Sequence, residues 1–275
     1  GRTTFSIRQV ILEDFDGGRF ILSGAKIPSG LGITLASGGG SGGGGAGPDN
    51  SALFLQFEGN LNDSSVSARS VTSHGGFALS NSVAKNGSGS AQFDGTSSYL
   101  SVPQSQDFAF GTGDFTVEFW FKMPTVQSIA SFVTLGKGAN QVPFATSEWY
   151  VLFVGPPYDS GRIQIGRQSA SGTGTVNYAT GTLNPNQWYH LAVCRQSGTL
   201  RCFLNGTALY ERIQAGPDPV VNWDIQITNA IGSDGLYVGR VTANDLGNDG
   251  PYFDGYIDDL RIIKGTAKYT SNFNP

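Results

Sequence analysis

The sequence predicts an all-β protein built as a large two-sheet antiparallel sandwich. Three observations carry that expectation. In residues 110–122, FGTGDFTVEFWFK, Phe115, Val117, Phe119 and Phe121 alternate with Thr116, Glu118, Trp120 and Lys122. Such period-two alternation marks a strand with one face in a core and the other toward solvent. The composition agrees: 40 glycines and 18 phenylalanines in 275 residues, with only 14% charged, describe short aromatic strands joined by Gly, Asn, Ser and Asp turns. No window repeats apolar residues at helical spacing.

The elements follow in order. Residues 1–37 hold two apolar runs, 5–12 and 19–22, around Glu13-Asp14-Phe15-Asp16-Gly17-Gly18, and read as a β-hairpin with a polar tip. A hairpin alone is marginal in water, so this arm is expected to pair with another chain or with the main domain. Residues 38–50 open with GGGSGGGGAG, a flexible coil with a root-mean-square span of about 15–20 Å. A tether is the favoured reading, a glycine-rich surface loop the other. From residue 51 to 275, strand signals recur at 52–57, 90–93, 99–102, 115–122, 131–135, 149–154, 162–167, 188–195, 199–204, 236–238 and 256–263. That number of strands fits a two-sheet sandwich.

Cys194 and Cys202 flank the turn between two of these strands. A two-residue loop at Ser197-Gly198 sets Cys194 opposite Arg201 and Cys202 opposite Val193, with the thiols on opposite sides of the sheet. Two free, core-like thiols are expected; a bulged three-residue loop would change the parity.

Charge and motif content exclude several functions. A formal net charge of −4 with scattered Lys and Arg gives no basic groove for nucleic acid. No stretch approaches the apolar length needed to cross a bilayer. Glycoside hydrolysis needs two facing carboxyl groups, and Glu118 has only Thr116 and Trp120 as same-face neighbours. Neither His74 nor His190 comes with a nucleophile elbow or a Cys-His motif. Two histidines and two cysteines are too few for the usual zinc sites. The glycine tract lacks the Lys-Ser/Thr ending of a phosphate loop.

Five segments, taken in order, resemble one family: ALFLQFEGNLNDSS (52–65), SAQFDGTSSYLSVP (90–103), DFAFGTGDFTVEFWFK (107–122), WYHLAVCRQSGTLRCFLNG (188–206) and FDGYIDDLRIIKGTAKYTSNF (253–273). Residues 52–275 are similar to concanavalin A-like lectin/glucanase domains of the laminin-G-like type, in the wording common among bacteriophage structural proteins. In those, a short N-terminal piece and a Gly-rich segment often precede the lectin-like domain. The resemblance implies a jelly roll of two antiparallel sheets, one of them concave, but not by itself a function. The hydrolases of this fold carry Glu-x-Asp-x-x-Glu on one strand, and no such pattern occurs here.

The same resemblance implies a structural Ca²⁺ joining the first strand to the last, with Glu58 and Asp258 as ligands and carbonyls near Asn60 and Gly95 completing the shell. The alternative is that both carboxylates bind turn backbone. Residues 244–250, NDLGNDG, resemble a Ca²⁺ loop only faintly and read as an Asx-rich turn. For sugar binding, which needs an aromatic platform with polar partners, the candidates are Trp149 and Tyr158 near PPYDSG, Tyr178, Trp223, and Tyr252 beside Asp249 and Asn248.

The expected function is non-enzymatic. The chain reads as a phage virion protein, for capsid decoration or tail-associated, made in the bacterial cytoplasm and displayed in several copies or as a homo-oligomer on the particle surface. Its arm would hold other virion proteins and its lectin-like domain a host-surface glycan. A dedicated carbohydrate-binding lectin or adhesin is the alternative and a glycoside hydrolase the third.

Overall fold

The computed structural model describes residues 51–136, 147–169, 172–212, 235–241 and 251–275. The arm (1–37), the glycine tract (38–50), Trp223 and Asp249 lie outside the described residues.

The strands are β1 (Leu53–Leu55), β2 (Thr72–His74), β3 (Ala78–Ser80), β4 (Ser90–Asp94), β5 (Tyr99–Pro103), β6 (Phe115–Lys122), β7 (Ile129–Gly136) and β8 (Ser147–Val154). They continue as β9 (Arg162–Ser169), β10 (Gly172–Ala179), β11 (Trp188–Gln196), β12 (Thr199–Leu204), β13 (Thr207–Ala208), β14 (Glu211–Arg212), β15 (Gly235–Val238) and β16 (Asp254–Lys264). They form two antiparallel sheets packed as a sandwich. The first runs β13-β12-β11-β6-β16-β4-β3, with β1 also on β16; the second runs β14-β10-β9-β8-β7-β15-β5-β2. The expected all-β fold is observed.

The alternation of β6 explains the packing. Phe115, Val117, Phe119 and Phe121 point inward and are at most 3% exposed. Phe119 and Phe121 meet Phe132 of the opposing sheet at ring-centroid distances of 5.1 and 4.7 Å, and Phe253 reaches the same ring at 5.4 Å. Each such buried side chain contributes about 1.5–3 kcal/mol of transfer free energy. From the second sheet, Val133, Leu135, Val151, Phe153, Ile163, Ile165, Val176, Leu236 and Val238 complete the core.

The other face of β6 departs from expectation. Thr116, Glu118, Trp120 and Lys122 were expected toward solvent, but Thr116 is fully buried and Glu118 is 4% exposed. The C-terminal residues 265–275 form a strap over this face. Thr116 Oγ1 donates to Thr266 O at 2.9 Å and accepts from Lys268 N at 2.9 Å. Tyr269 and Phe273 pack with Ala192, Cys194 and Phe203 in a small second core. At the far end, Phe273 N donates to Gly206 O at 2.9 Å; a Cβ on Gly206 would stand 1.9 Å from Phe273 O, so only glycine lets the strap seat there.

The β11–β12 hairpin has the expected register: Cys194 faces Arg201 and Cys202 faces Val193. Both cysteines are free and buried.

Candidate functional site

The sites expected from sequence fall in different places. Trp149 sits on β8 with 3% exposure, its Nε1 donating to Phe108 O at 3.0 Å. It is a core residue and offers no platform; strand alternation, not nearness to the PPYDSG turn, decides its direction. Tyr178 is likewise buried, donating to Leu200 O at 3.0 Å. Tyr158 is 68% exposed, and Tyr252 is half-buried beside Tyr99, 6.4 Å between ring centroids.

Glu58 and Asp258 both bind turn backbone, the alternative that the sequence left open. Glu58 Oε2 accepts from Ser88 N at 2.6 Å and from Ser88 Oγ at 2.5 Å. Asp258 Oδ2 accepts from Lys85 N at 2.8 Å and Asn86 N at 3.1 Å, while Oδ1 accepts from Asp259 N at 2.9 Å. The donors are backbone amides and the Ser88 hydroxyl. Both acids grip the turn at residues 85–88, which ties the first strand region to β16. Among the described residues no group of three or more His, Cys, Asp or Glu is arranged to hold a metal. Burial, with the charge of Asp259 adding to it, pushes the Asp258 carboxyl up to about 6 against the pull of the two turn amides.

Glu118 is held by a lysine, an imidazole and a hydroxyl, not by a second acid. Lys268 Nζ lies 2.6 Å from Oε1, Tyr269 OH donates to Oε2 at 2.8 Å, and His190 Nε2 is 3.5 Å from Oε2. Burial alone would raise this carboxyl, but the bonds from His190, Lys268 and Tyr269 with the lysine charge hold it down at about 2. An acid that stays ionised under a strap is unsuited to protonating a glycosidic oxygen.

What the structure does assemble is a polar, aromatic rim at one end of the second sheet. The core row Leu100, Val238, Val133, Val151, Ile165, Val176 crosses that sheet in register. Beyond this row, at the same end of each strand, come Tyr99, Arg240, the turn carrying Tyr158, Arg162 and Ala179. Arg240 was missed by sequence reasoning, because an arginine just past a short strand carries no pattern. Its guanidinium lies 4.2 Å from the Tyr99 ring centroid and 4.9 Å from that of Tyr237, within cation–π range. His74 stacks on Tyr99 at 4.2 Å with 7° between planes, and its Nε2 is 2.8 Å from Ser101 Oγ. Burial first, and then the Arg240 charge, lower the His74 pKa, which favours the neutral ring. Gln127 fixes the neighbouring chain, donating to Tyr252 O at 3.0 Å and accepting from Asp254 N at 2.8 Å. Half-buried rings beside hydroxyl and imidazole groups, backed by the Arg240 guanidinium at 8% exposure, suit a sugar, whose apolar faces stack while its hydroxyls hydrogen-bond. Deeper on the same face, Thr134 and Ser131 are fully buried.

The two packed antiparallel sheets define an all-β sandwich. The concanavalin A-like lectin/glucanases superfamily model matches residues 94–268, and the chain belongs to that superfamily. Among solved structures, the chain is similar to domain 4 of AbnA, a GH43 extracellular arabinanase from Geobacillus stearothermophilus, in complex with arabinotriose. The identity is 19% and the TM-score 0.55, over 79% of this chain and 94% of that one. It is also similar to the botulinum neurotoxin serotype C1 binding domain, at 15% identity and a TM-score of 0.52, over 79% of this chain and 49% of that one. The chain therefore spans about half the length of that toxin domain, and both likenesses concern the fold. No curated protein matches the chain.

Proposed function

We propose that this chain is a non-enzymatic phage virion protein, for capsid decoration or tail-associated, that displays a lectin-like domain on the particle surface and takes host-surface glycans at the rim of Tyr99, Tyr237, Arg240 and Tyr252. The observation that carries the glycan part is the Arg240 guanidinium packed against two half-exposed tyrosines beside His74 and Ser101. The domain of the arabinanase, solved with arabinotriose, supports the same reading by fold. The phage context is supported by the wording of residues 100–120 and 256–273 and by the arm and glycine tract ahead of the domain. In this reading the arm, residues 1–37, holds other virion proteins, and many copies or a homo-oligomer stand on one particle. Synthesis takes place in the bacterial cytoplasm.

Mass spectrometry of purified virions tests the location, and deletion of residues 1–37 tests the arm: the truncated domain should stay soluble and folded yet fail to join particles. Normal incorporation would remove the arm from its role. A glycan array tests the rim, where Arg240→Ala should lower binding at least tenfold. Strong glycan binding by a chain absent from virions would instead favour a dedicated lectin or adhesin, the second reading that the rim supports.

A further inference from the structure

The turn at residues 85–88 joins parts of the chain that are far apart in sequence, and its own sequence carries a chemical weakness. Lys85 N and Asn86 N both donate to Asp258 Oδ2, at 2.8 and 3.1 Å, and Ser88 N donates to Glu58 Oε2 at 2.6 Å. Asn86 adds its side chain, with Nδ2 donating to Asp259 Oδ2 at 2.7 Å. That bond reaches the irregular stretch of β16 between Asp258 and Arg261, where Asp259 has a φ of 49°.

This arrangement dictates glycine at position 87. Its φ is +57°, and a Cβ there would collide with Glu58 Oε1, so the grip of Glu58 on the turn admits no side chain. Asparagine is a thermolabile residue, and a following glycine leaves its carboxamide unshielded from the next backbone nitrogen. Among the described residues Gly87 N meets no acceptor, whereas the amides on either side of it are held. Asn86 and Gly87 are both exposed. The other Asn-Gly pair of the chain, Asn205-Gly206, is the internal comparison. Asn205 Oδ1 accepts from His190 N at 2.8 Å, which pins the carboxamide across the sheet. Gly206 is buried, and its O accepts from Phe273 N of the strap at 2.9 Å.

We propose that Asn86-Gly87 is a self-modification site, where the chain converts its own asparagine to aspartate and isoaspartate and so loosens the turn from β16. Gly87 N attacks Asn86 Cγ and gives up its proton. The new Cγ–N bond closes a succinimide ring as the Cγ–Nδ2 bond breaks, and Nδ2 leaves with that proton as ammonia. Water then opens the ring. Cleavage of the Cγ–N bond gives aspartate, and cleavage between the Asn86 carbonyl carbon and the same nitrogen gives isoaspartate. Water is the only co-reactant, and nothing is oxidised or reduced. Either product undoes the contacts of the turn. Aspartate sets a carboxylate against the Asp259 carboxylate where a donor stood, and like charges in contact repel. Isoaspartate lengthens the main chain by one methylene, so the Lys85, Asn86 and Ser88 amides no longer converge on Asp258 and Glu58.

Incubation of the intact chain in mildly alkaline buffer, followed by peptide mapping with mass spectrometry and detection of isoaspartate, tests this. Conversion at Asn86 should run at least tenfold faster than at Asn205, and the thermal midpoint should fall as the converted fraction grows. Asn86→Asp should show a lowered midpoint before any incubation. Asn86→Gln, whose longer side chain disfavours the ring closure, should show no further fall with time. No conversion at Asn86, or conversion at Asn205 that keeps pace with it, overturns the proposal. So does an Asn86→Asp protein as stable as the wild type, since the modification would then leave the turn in place.

Discussion

Glu118 and Asp258 are buried carboxylates on adjacent strands, and their environments drive them in opposite directions. Around Glu118 stand Lys268, His190 and Tyr269; Asp258 accepts from the amides of Lys85, Asn86 and Asp259 and feels the Asp259 charge. For Glu118 the folded-state pKa, about 2, lies below the usual glutamate value, so its contribution to stability is present above about pH 4.5 and is lost as pH falls toward 2. Glu118→Gln should destabilise the domain by about 1–3 kcal/mol, the worth of hydrogen bonds to a charged group, and leave glycan binding intact. Release of reducing sugar by the wild type that disappears in Glu118→Gln would make the protein a hydrolase. Asp258 has the other sign. Its folded-state pKa of about 6 lies above the unfolded value, so the native state holds the extra proton and stability declines as pH rises from about 4 to 6. Chemical denaturation across that range should show the decline, and Asp258→Asn should remove it while lowering stability, because its amide meets N–H donors on both sides.

At the scale of elements, strand β6 at Phe115–Lys122 and strand β12 at Thr199–Leu204 coincide with their expected spans, because alternation and a two-residue turn are local signals. Strand β10, GTGTVNYA, was missed: Gly172 and Gly174 erase the pattern, although Val176 and Tyr178 still reach the core. Gly166 opposite it is explained only in three dimensions, since a Cβ there would lie 1.9 Å from Tyr150 Cζ. The short strands β2, β3, β13 and β14 are mostly polar or exposed and carry no period to read. The strap was legible as a family motif, TAKYTSNF, but not as a cover, because its contacts all join residues distant in sequence. Removing residues 265–275 should therefore do more than trim a tail. It bares Cys194 and Phe203, so the thermal midpoint should fall and Cys194 should become reactive to a thiol reagent, while Cys202, buried in the main core, stays protected. Equal protection of both thiols in the truncated protein would mean that the strap does not cover the sheet.

For the whole molecule, the first and last strands are joined by carboxylates that hold a turn, where an ion would have been the simpler expectation. Glu58 grips Ser88 and Asp258 grips Lys85 and Asn86. Chelation should consequently leave the unfolding temperature of the full chain unchanged; a fall in chelator, restored by Ca²⁺, would show a cation site beyond this pair. The rim was half legible. Tyr158 and Tyr252 stood out as aromatics in turn-rich sequence, whereas Arg240 acquires meaning only when its bridge to Tyr252 and the strand register set it beside Tyr99.

The parity of the β11–β12 hairpin has a last consequence. Cys194 belongs to the small core beneath the strap and Cys202 to the main core, so a sheet of backbone stands between two sulfurs only eight residues apart in sequence. Side chains that leave a sheet in opposite directions cannot be bridged without moving the strands, and burial raises both thiols' pKa values, leaving little thiolate to react. The fold is thus indifferent to the oxidation state of its medium: a chain folded among reducing thiols can pass into an oxidising exterior with the same covalent structure. Melting curves with and without reductant should superimpose.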